Sequence, residues 1–346
     1  MTGYHKVVWE DTRNIAMRDL PWKQFKNSTV LITGASGFIP AYIVYTLLCR
    51  NDLFNDNIQI LALVRSREKA LARFADIFNR RDFKILVRDV AGTIDYKINA
   101  DYIIHAASPA SKRAFTSDPV GTLQANITGT INMLELARRS NSRGVLFLSS
   151  GMVYGSIGSI IPISEHKFGA TDSMDKSNVY TEAKRAGEML CTCYHASYGT
   201  PVKVVRLFEI YGPGEQIETG RAVIDFARTV YLGRDIVLKS QGRAIRSFSY
   251  VMDAVEAIFT VILKGEAGKA YNVGSDTDVL SILELARKFT AAIRDKPLKV
   301  ILPEASEVSG DITDCFIPEL THLYTLGWKQ RTSIERGISR MLKSFD

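Results

Sequence analysis

The stretch Thr33-Gly34-Ala35-Ser36-Gly37-Phe38-Ile39-Pro40 constrains the fold of this chain more than any other. Thr29-Val30-Leu31-Ile32 before it reads as a buried strand, and an amphipathic helical pattern follows it to about Arg50. A strand that turns through glycines directly into a helix aims the helix's free N–H groups and positive dipole end at whatever lies beyond the strand. Glycines at 34 and 37 let the backbone turn tightly and come close to a charged group. Such a unit cradles the pyrophosphate of a dinucleotide, here with Gly34, Ser36, Gly37, Phe38 and Ile39. Pro40 takes the third glycine position; proline is tolerated in a first helical turn, but its ring is bulkier than hydrogen.

Residues 58–64 read as a second strand, and 83–87, 101–104, 144–148 and 202–207 as further short apolar strands separated by helical stretches such as 130–139. This alternation predicts an α/β fold with a Rossmann-like, doubly wound parallel sheet. After Tyr211-Gly212-Pro213-Gly214 the pattern loosens, with a helix over 282–294, and predicts a smaller mixed α/β C-terminal substrate domain. The expected division is a surface leader over 1–27 anchored by Trp9 and Trp22, a cofactor domain carrying the catalytic groups over 28–212, and a substrate domain over 213–346, with the chain free to cross back between them. At the end of the second strand, where an acid would bind the ribose hydroxyl of NAD, stands Arg65. A guanidinium suits a 2′-phosphate, so the cofactor is expected to be NADP in preference to NAD. Asp89 and Val90 close the third strand on the adenine side.

Tyr180 and Lys184 lie one helical turn apart on the same face, and Ser149-Ser150 ends an apolar strand 30 residues upstream of Tyr180. A lysine charge favours a phenolate, so Tyr180 can act as a base, with a serine hydroxyl steadying the reacting oxygen. These groups remove or return the proton of an alcohol.

Composition narrows the partners. The net charge of +7 admits nucleic acid, a membrane surface or a small anion. Lys and Arg are spread among acids, without the basic and aromatic interleaving of a strand binder, so a phosphorylated small molecule is expected and nucleic acid is not. No run approaches the ~20 apolar residues of a membrane span, and the N-terminus does not read as a secretory signal. The expected location is the cytoplasm, with Cys49, Cys191, Cys193 and Cys315 reduced and no metal site.

With these pieces in place, the chain resembles the extended short-chain dehydrogenase/reductase superfamily, in its nucleotide-sugar epimerase/dehydratase branch. The resemblance rests on the glycine turn, Asp89-Val90, His105-Ala106-Ala107-Ser108, Asn126, Ser149-Ser150, Val153-Tyr154-Gly155, Tyr180 with Lys184, Tyr211-Gly212-Pro213, residues 246–253, Tyr271-Asn272-Val273-Gly274 and Leu326-Gly327-Trp328. Ala107-Ser108-Pro109-Ala110-Ser111 and Asp118-Pro119-Val120-Gly121-Thr122 look most like the UDP-glucuronate decarboxylases. The resemblance implies that Tyr180 is the catalytic base, that Lys184 lowers its pKa and holds the nicotinamide ribose, that Ser150 is the catalytic hydroxyl, and that Asn126 supports the lysine through water. It places Ala106, Ala107 and Ser108 beside the cofactor, and Arg246, Tyr250 and Arg221 on the phosphates and base of a nucleotide-diphosphate sugar. It also implies a homodimer built on helix 130–139 and the helix that starts at Tyr180, through Met189, Leu190 and Cys193.

Two departures redirect the expected chemistry. Dehydratases of this kind follow the catalytic Thr with Asp-Glu and decarboxylases with Ser-Glu; here Gly151-Met152 offers no carboxylate. Dehydration needs an acid and a base there, which makes a 4,6-dehydratase-like enzyme the weaker expectation. Many relatives carry an Asn on the diphosphate where this chain has Glu209, which repels phosphate unless it is neutralised or turned to a cationic partner or an amine on the sugar. The expected function is therefore C4 epimerisation or 4-keto reduction of a nucleotide sugar. The alternatives are a UDP-glucuronate decarboxylase-like enzyme and, in another class, a non-catalytic NAD(P)-binding sensor or scaffold.

Overall fold

The computed structural model describes residues 3–93, 98–109, 111–157, 162–215, 220–293, 297–304 and 315–346. Helix α1 (Gly3–Ala16) precedes β1 (Thr29–Thr33), α2 (Phe38–Phe54), β2 (Gln59–Val64), α3 (Arg67–Arg73), β3 (Phe83–Val87) and β4 (Tyr102–His105). Next come α4 (Lys112–Ser117), α5 (Pro119–Asn126), α6 (Thr128–Arg139), β5 (Gly144–Ser150), α7 (Val179–Tyr198), β6 (Val202–Leu207), β7 (Glu209–Tyr211), α8 (Ala222–Tyr231) and β8 (Ile236–Val237). The chain continues through β9 (Ile245–Tyr250), α9 (Val251–Lys264), β10 (Ala270–Val273), β11 (Val279–Ser281), α10 (Ile282–Ala291), β12 (Val300–Ile301), β13 (Cys315–Phe316), α11 (Thr321–Thr325) and α12 (Ile334–Lys343).

Seven strands form one parallel sheet in the order β10-β6-β5-β4-β1-β2-β3. Strand order reverses between β1 and β4, and the crevice at the carboxyl ends of these two strands is where such sheets bind ligands. Alternate residues separate two cores. Val30, Ile32, Ile104, Leu146 and Leu148 pack with α2 and α9, while Leu31, Ile103, Val145 and Phe147 pack with Met133, Leu134 and Leu136 of α6. Each β-branched or leucine side chain buried in this way contributes roughly 1.5–3 kcal/mol, so the sheet is a stiff platform.

The chain does cross back: β10 is the edge strand of the large sheet, beside β6. Around it, β9 pairs with β7, β11 and β13, and β8 pairs with β12. The second helix is longer than expected. Arg50 does not end it, because its guanidinium is buried against Asp56 at 2.7 Å and over the Trp22 ring. The helix ends at Asn55, in the left-handed conformation with φ 52°. The N-terminal segment is also less superficial than a surface leader. Val7, Val8, Ile15 and Asp11 are buried, Trp22 is buried against Phe259, and Trp9 meets the Tyr45 ring.

Candidate active site at the strand crossover

On the cofactor side, Gly34 adopts φ +64°, and a Cβ there would lie 2.9 Å from Ala107 Cα. Only glycine fits, because the β1 turn rests directly on the end of β4. Gly37 is extended, with φ −68°, and caps α2 without a side chain, leaving the first turn of α2 with no side-chain acceptor for its N–H groups. Ser36, Phe38 and Ile39 flank this helix start, and Pro40 is buried at the third helical position, where its ring lies over Gly37. These features make a cradle that a Cβ would fill, at a helix N-terminus suited to an anion, and they fit a dinucleotide pyrophosphate.

A buried hydrogen-bonded chain braces the cradle. Thr33 Oγ1 accepts from the N–H groups of Ala106 and Ala107, each at 3.0 Å, and lies 2.7 Å from His105 Nδ1. His105 Nε2 lies 3.2 Å from Thr130 Oγ1, and that hydroxyl donates to the Asn126 carbonyl. With both Thr33 acceptor positions used, Thr33 donates to Nδ1 and the proton of the ring sits on Nε2. Burial and the nearby Lys184 charge push the His105 pKa down to about 3, so the ring is neutral. The sequence showed His105 only as part of a motif, and Thr33 only as the residue before the first glycine.

Arg65 is exposed at the end of β2 and has no hydrogen bond or ion pair among the described residues. Asp89 is also exposed, with its carboxylate accepting from Ala91 N–H. The Val90 side chain differs from expectation: it packs into the core against Gly129 and does not face the crevice. Ser108 Oγ accepts from Asn126 Nδ2 at 2.9 Å. Asn126 Oδ1 is buried without a hydrogen-bond partner among the described residues.

Ser150 and Tyr180 meet as expected. Leu207 of β6 lies opposite Ser150 in the sheet register, and the Ser150 side chain accepts from Met152 N–H and lies near enough to the Tyr180 hydroxyl to act on its pKa. Burial raises the Tyr180 pKa to about 12, while the neighbouring Ser150 hydroxyl and the Arg221 charge act to lower it. Lys184 lies beside the phenol: its Nζ donates to the Leu148 carbonyl at 2.7 Å and lies 5.8 Å from the Tyr180 ring centre. Burial brings the Lys184 pKa down to about 7, opposed by the Glu188 charge. Glu188 is itself held by Ser149 Oγ at 2.5 Å and by Arg206 Nη2 at 2.7 Å, so Ser149 faces away from the crevice. Phe115 stacks on Tyr180, with centroids 5.1 Å apart and 20° between planes; no sequence signal marked it.

The sugar side is charged. Arg221 Nη2 pairs with Glu209 at 2.5 Å and Nη1 with Glu215 at 2.7 Å, so Glu209 is indeed turned to a cationic partner. Glu215, which the sequence did not single out, is almost wholly buried, with Oε2 lacking a hydrogen-bond partner among the described residues and burial raising its pKa to about 7. Gly151 packs under Phe316, where a Cβ would approach the ring to 2.8 Å, and Met152 is half exposed. Arg246 is part-buried on β9, with Nη1 donating to the Ile245 carbonyl. Tyr250 departs from expectation. It is 1% exposed, and its hydroxyl donates to Asp11 at 2.7 Å, next to the Asp11–Arg340 ion pair, so the structure does not bring it to Tyr180.

The sheet order, the crevice at its reversal and the Ser-Tyr-Lys constellation define a nicotinamide-dependent enzyme class. Residues 30–274 match the model of the NAD dependent epimerase/dehydratase family, and the chain belongs to that family. It is similar to UDP-glucuronic acid decarboxylase 6 of Arabidopsis thaliana, 28% identical over 92% of this chain and 89% of the relative. It is also similar to UDP-glucuronic acid decarboxylase 4 of the same plant, 30% identical over 91% of this chain and 68% of the relative. Among solved structures, UDP-N-acetylglucosamine 4-epimerase from Methanobrevibacter ruminantium superposes with a TM-score of 0.79 at 22% identity, over 92% of this chain and 98% of that one. That likeness bears on the fold alone. No described helix is long and apolar enough to cross a membrane.

Proposed function

We propose that the protein acts at C4 of the hexose of a nucleotide-diphosphate sugar, as a C4 epimerase or a 4-ketoreductase. The observation that carries this reading is the Ser150 hydroxyl placed beside the Tyr180 phenol, next to a position where Met152 supplies no carboxylate. When bound, the nicotinamide supplies or accepts a hydride at C4. Gly34, Ser36, Gly37, Phe38 and Ile39 would hold its pyrophosphate, Ala106, Ala107 and Ser108 would line its path, and Lys184, supported by Asn126, would hold its ribose.

Tyr180 exchanges the proton of the C4 oxygen, and Ser150 fixes that oxygen's position. A phenol with its pKa near 12 holds its proton and is poised as an acid, which suits reduction of a 4-keto sugar. Arg65 supports NADP as the partner of such a one-way reduction, because an exposed guanidinium without an acid partner suits a 2′-phosphate. A proton NMR time course in heavy water, with NAD, NADP or NADPH over UDP-, dTDP-, CDP- and GDP-sugars, tests the reading. The expected result is inversion or reduction at C4 without deuterium at C5.

The identity to the Arabidopsis UDP-glucuronic acid decarboxylases, across nearly the whole chain, favours decarboxylation as the second reading. A C4 ketone lies beta to a C5 carboxylate and can absorb its electrons without a helper. Deuterium at C5 with loss of the carboxylate would establish that outcome.

A homodimer is part of the proposal, on altered surfaces. The apolar side chains of α6, including Met133, Leu134 and Leu136, are used against the protein's own sheet. Val120 and Leu123 on α5 and Met189 and Tyr198 on α7 are exposed apolar groups open to a second copy. Sedimentation of Met189→Glu against wild type checks this, with a shift toward monomer expected.

A further inference from the structure

Resting on the reading that Lys184 holds the nicotinamide ribose, we propose that Glu188 is a positioning residue for the cofactor: its carboxylate keeps Lys184 an ammonium, and so a donor to the ribose, at neutral pH. The two residues stand one turn apart on the same face of α7. That face meets consecutive residues of β5. Lys184 Nζ donates to the Leu148 carbonyl at 2.7 Å, and Glu188 Oε1 accepts from Ser149 Oγ at 2.5 Å. The strand that ends at Ser150 thus fixes both side chains on one side of the helix.

The lysine needs such a neighbour. It is 3% exposed, and Nζ lies 4.8 Å from the Phe147 ring centre and 5.8 Å from that of Tyr180. Two rings and a carbonyl replace little of the water that an ammonium loses on burial. The other titratable groups around it carry no countercharge. On α7, burial pushes the Cys191 thiol well up and leaves it neutral, and Tyr180, raised by burial to about 12, holds its proton. On β4, His105 is neutral, its pKa pushed down to about 3. On β6, Arg206 stands opposite Ser149 in the sheet register and is a second buried cation.

Glu188 therefore serves two cations. Arg206 Nη2 reaches Oε2 at 2.7 Å and Nε reaches Oε1 at 3.0 Å, which fixes the carboxylate in place. Arg206 Nη1 turns to the Tyr154 hydroxyl at 2.9 Å and the Glu165 carbonyl at 2.8 Å. The guanidinium offsets part of the field of the carboxylate, and the balance at Lys184 falls near neutrality. Burial brings its pKa down to about 7, with the Glu188 charge holding it up. One carboxylate shared in this way makes the charge of the lysine depend on Glu188.

NADH binding, followed by nucleotide fluorescence between about pH 5 and pH 9, tests this, because the diphosphate of NADH does not titrate there. Wild-type affinity should fall through a break near pH 7, and Lys184→Met should remove the break, which assigns it to this side chain. Glu188→Gln should move the break lower by about one unit, the low end for a nearby opposite charge. The variant then binds NADH as the wild type does near pH 5 and about tenfold more weakly above pH 8. A merely structural loss would weaken binding equally at every pH. Glu188→Asp, which draws the charge back by one methylene, should move the break in the same direction by less. No break in the wild type, a break that survives Lys184→Met, or an unmoved break in either Glu188 variant overturns the inference and leaves the nucleotide-sugar reading standing. If neither NADH nor NADPH binds the wild type at any pH, the cofactor reading itself fails.

Discussion

The two walls of the crevice are built on opposite principles. The cofactor wall is a chain of neutral groups, from the Ala106 and Ala107 N–H groups through Thr33, His105 and Thr130 to the Asn126 carbonyl. The sugar wall is ionic, with Arg221 between Glu209 and Glu215 and one oxygen left over. A neutral, paired wall keeps its geometry whatever the pH, which suits a cofactor of fixed shape. An ionic wall responds to pH, because burial raises the Glu215 pKa to about 7 and its charge changes near neutrality.

The largest expected effect lies where the walls meet. Tyr180→Phe removes the proton carrier and should lower turnover by roughly a thousandfold, within the usual range for acid–base groups, while cofactor binding measured by fluorescence is retained. Turnover at the wild-type rate would mean that the two walls do not meet at this phenol. Next, Arg65→Glu should weaken NADPH by about 10–100-fold and spare NADH, the worth of one or two charge-assisted bonds; equal effects on both cofactors would remove the 2′-phosphate reading.

Gly34→Ala probes how rigid the cofactor wall is. The left-handed backbone alone costs a side chain about 1–2 kcal/mol, and the contact with Ala107 adds to it, so cofactor affinity should drop by about tenfold. Tyr250→Phe should do the reverse of a site mutation. Losing its bond to Asp11 should cost about 1–3 kcal/mol in denaturant unfolding and leave KM for sugar unchanged.

The smallest effect is a slope. Burial raises the Asp11 pKa from 3.8 to about 6. The native state therefore binds the proton more tightly than the unfolded chain, and this contribution is full below pH 3.8 and lost as pH rises through about 6. Asp253, also raised to about 6, adds to the same fall. Asp11→Asn should flatten, without abolishing, the decline of Tm between pH 4 and 7; an unchanged slope would show that the Asp11 proton is not part of it.

Legibility differed between the walls for a physical reason. The cofactor wall comes from consecutive residues, so the strand, the glycines and the helix start could be read in one stretch, and so could Tyr180 with Lys184 on one helix face. Tyr250 was misplaced because a motif fixes a position in the chain, whereas its ring direction is set by Asp11, 239 residues away. Phe115 and Glu215 gave no signal, since a stacking ring or a buried acid is recognised only by what it touches.

The sequence alone determined the doubly wound sheet, the glycine turn into its first helix and the pairing of Ser150 with Tyr180, because periodicity, glycine geometry and motif spacing act over short segments. Only the tertiary structure decided that Lys184 rests on the Leu148 carbonyl, that His105 is neutral, and that Glu209 and Glu215 share Arg221. Ionisation and ion pairing depend on burial and on groups brought together from distant segments, and neither is written in local pattern.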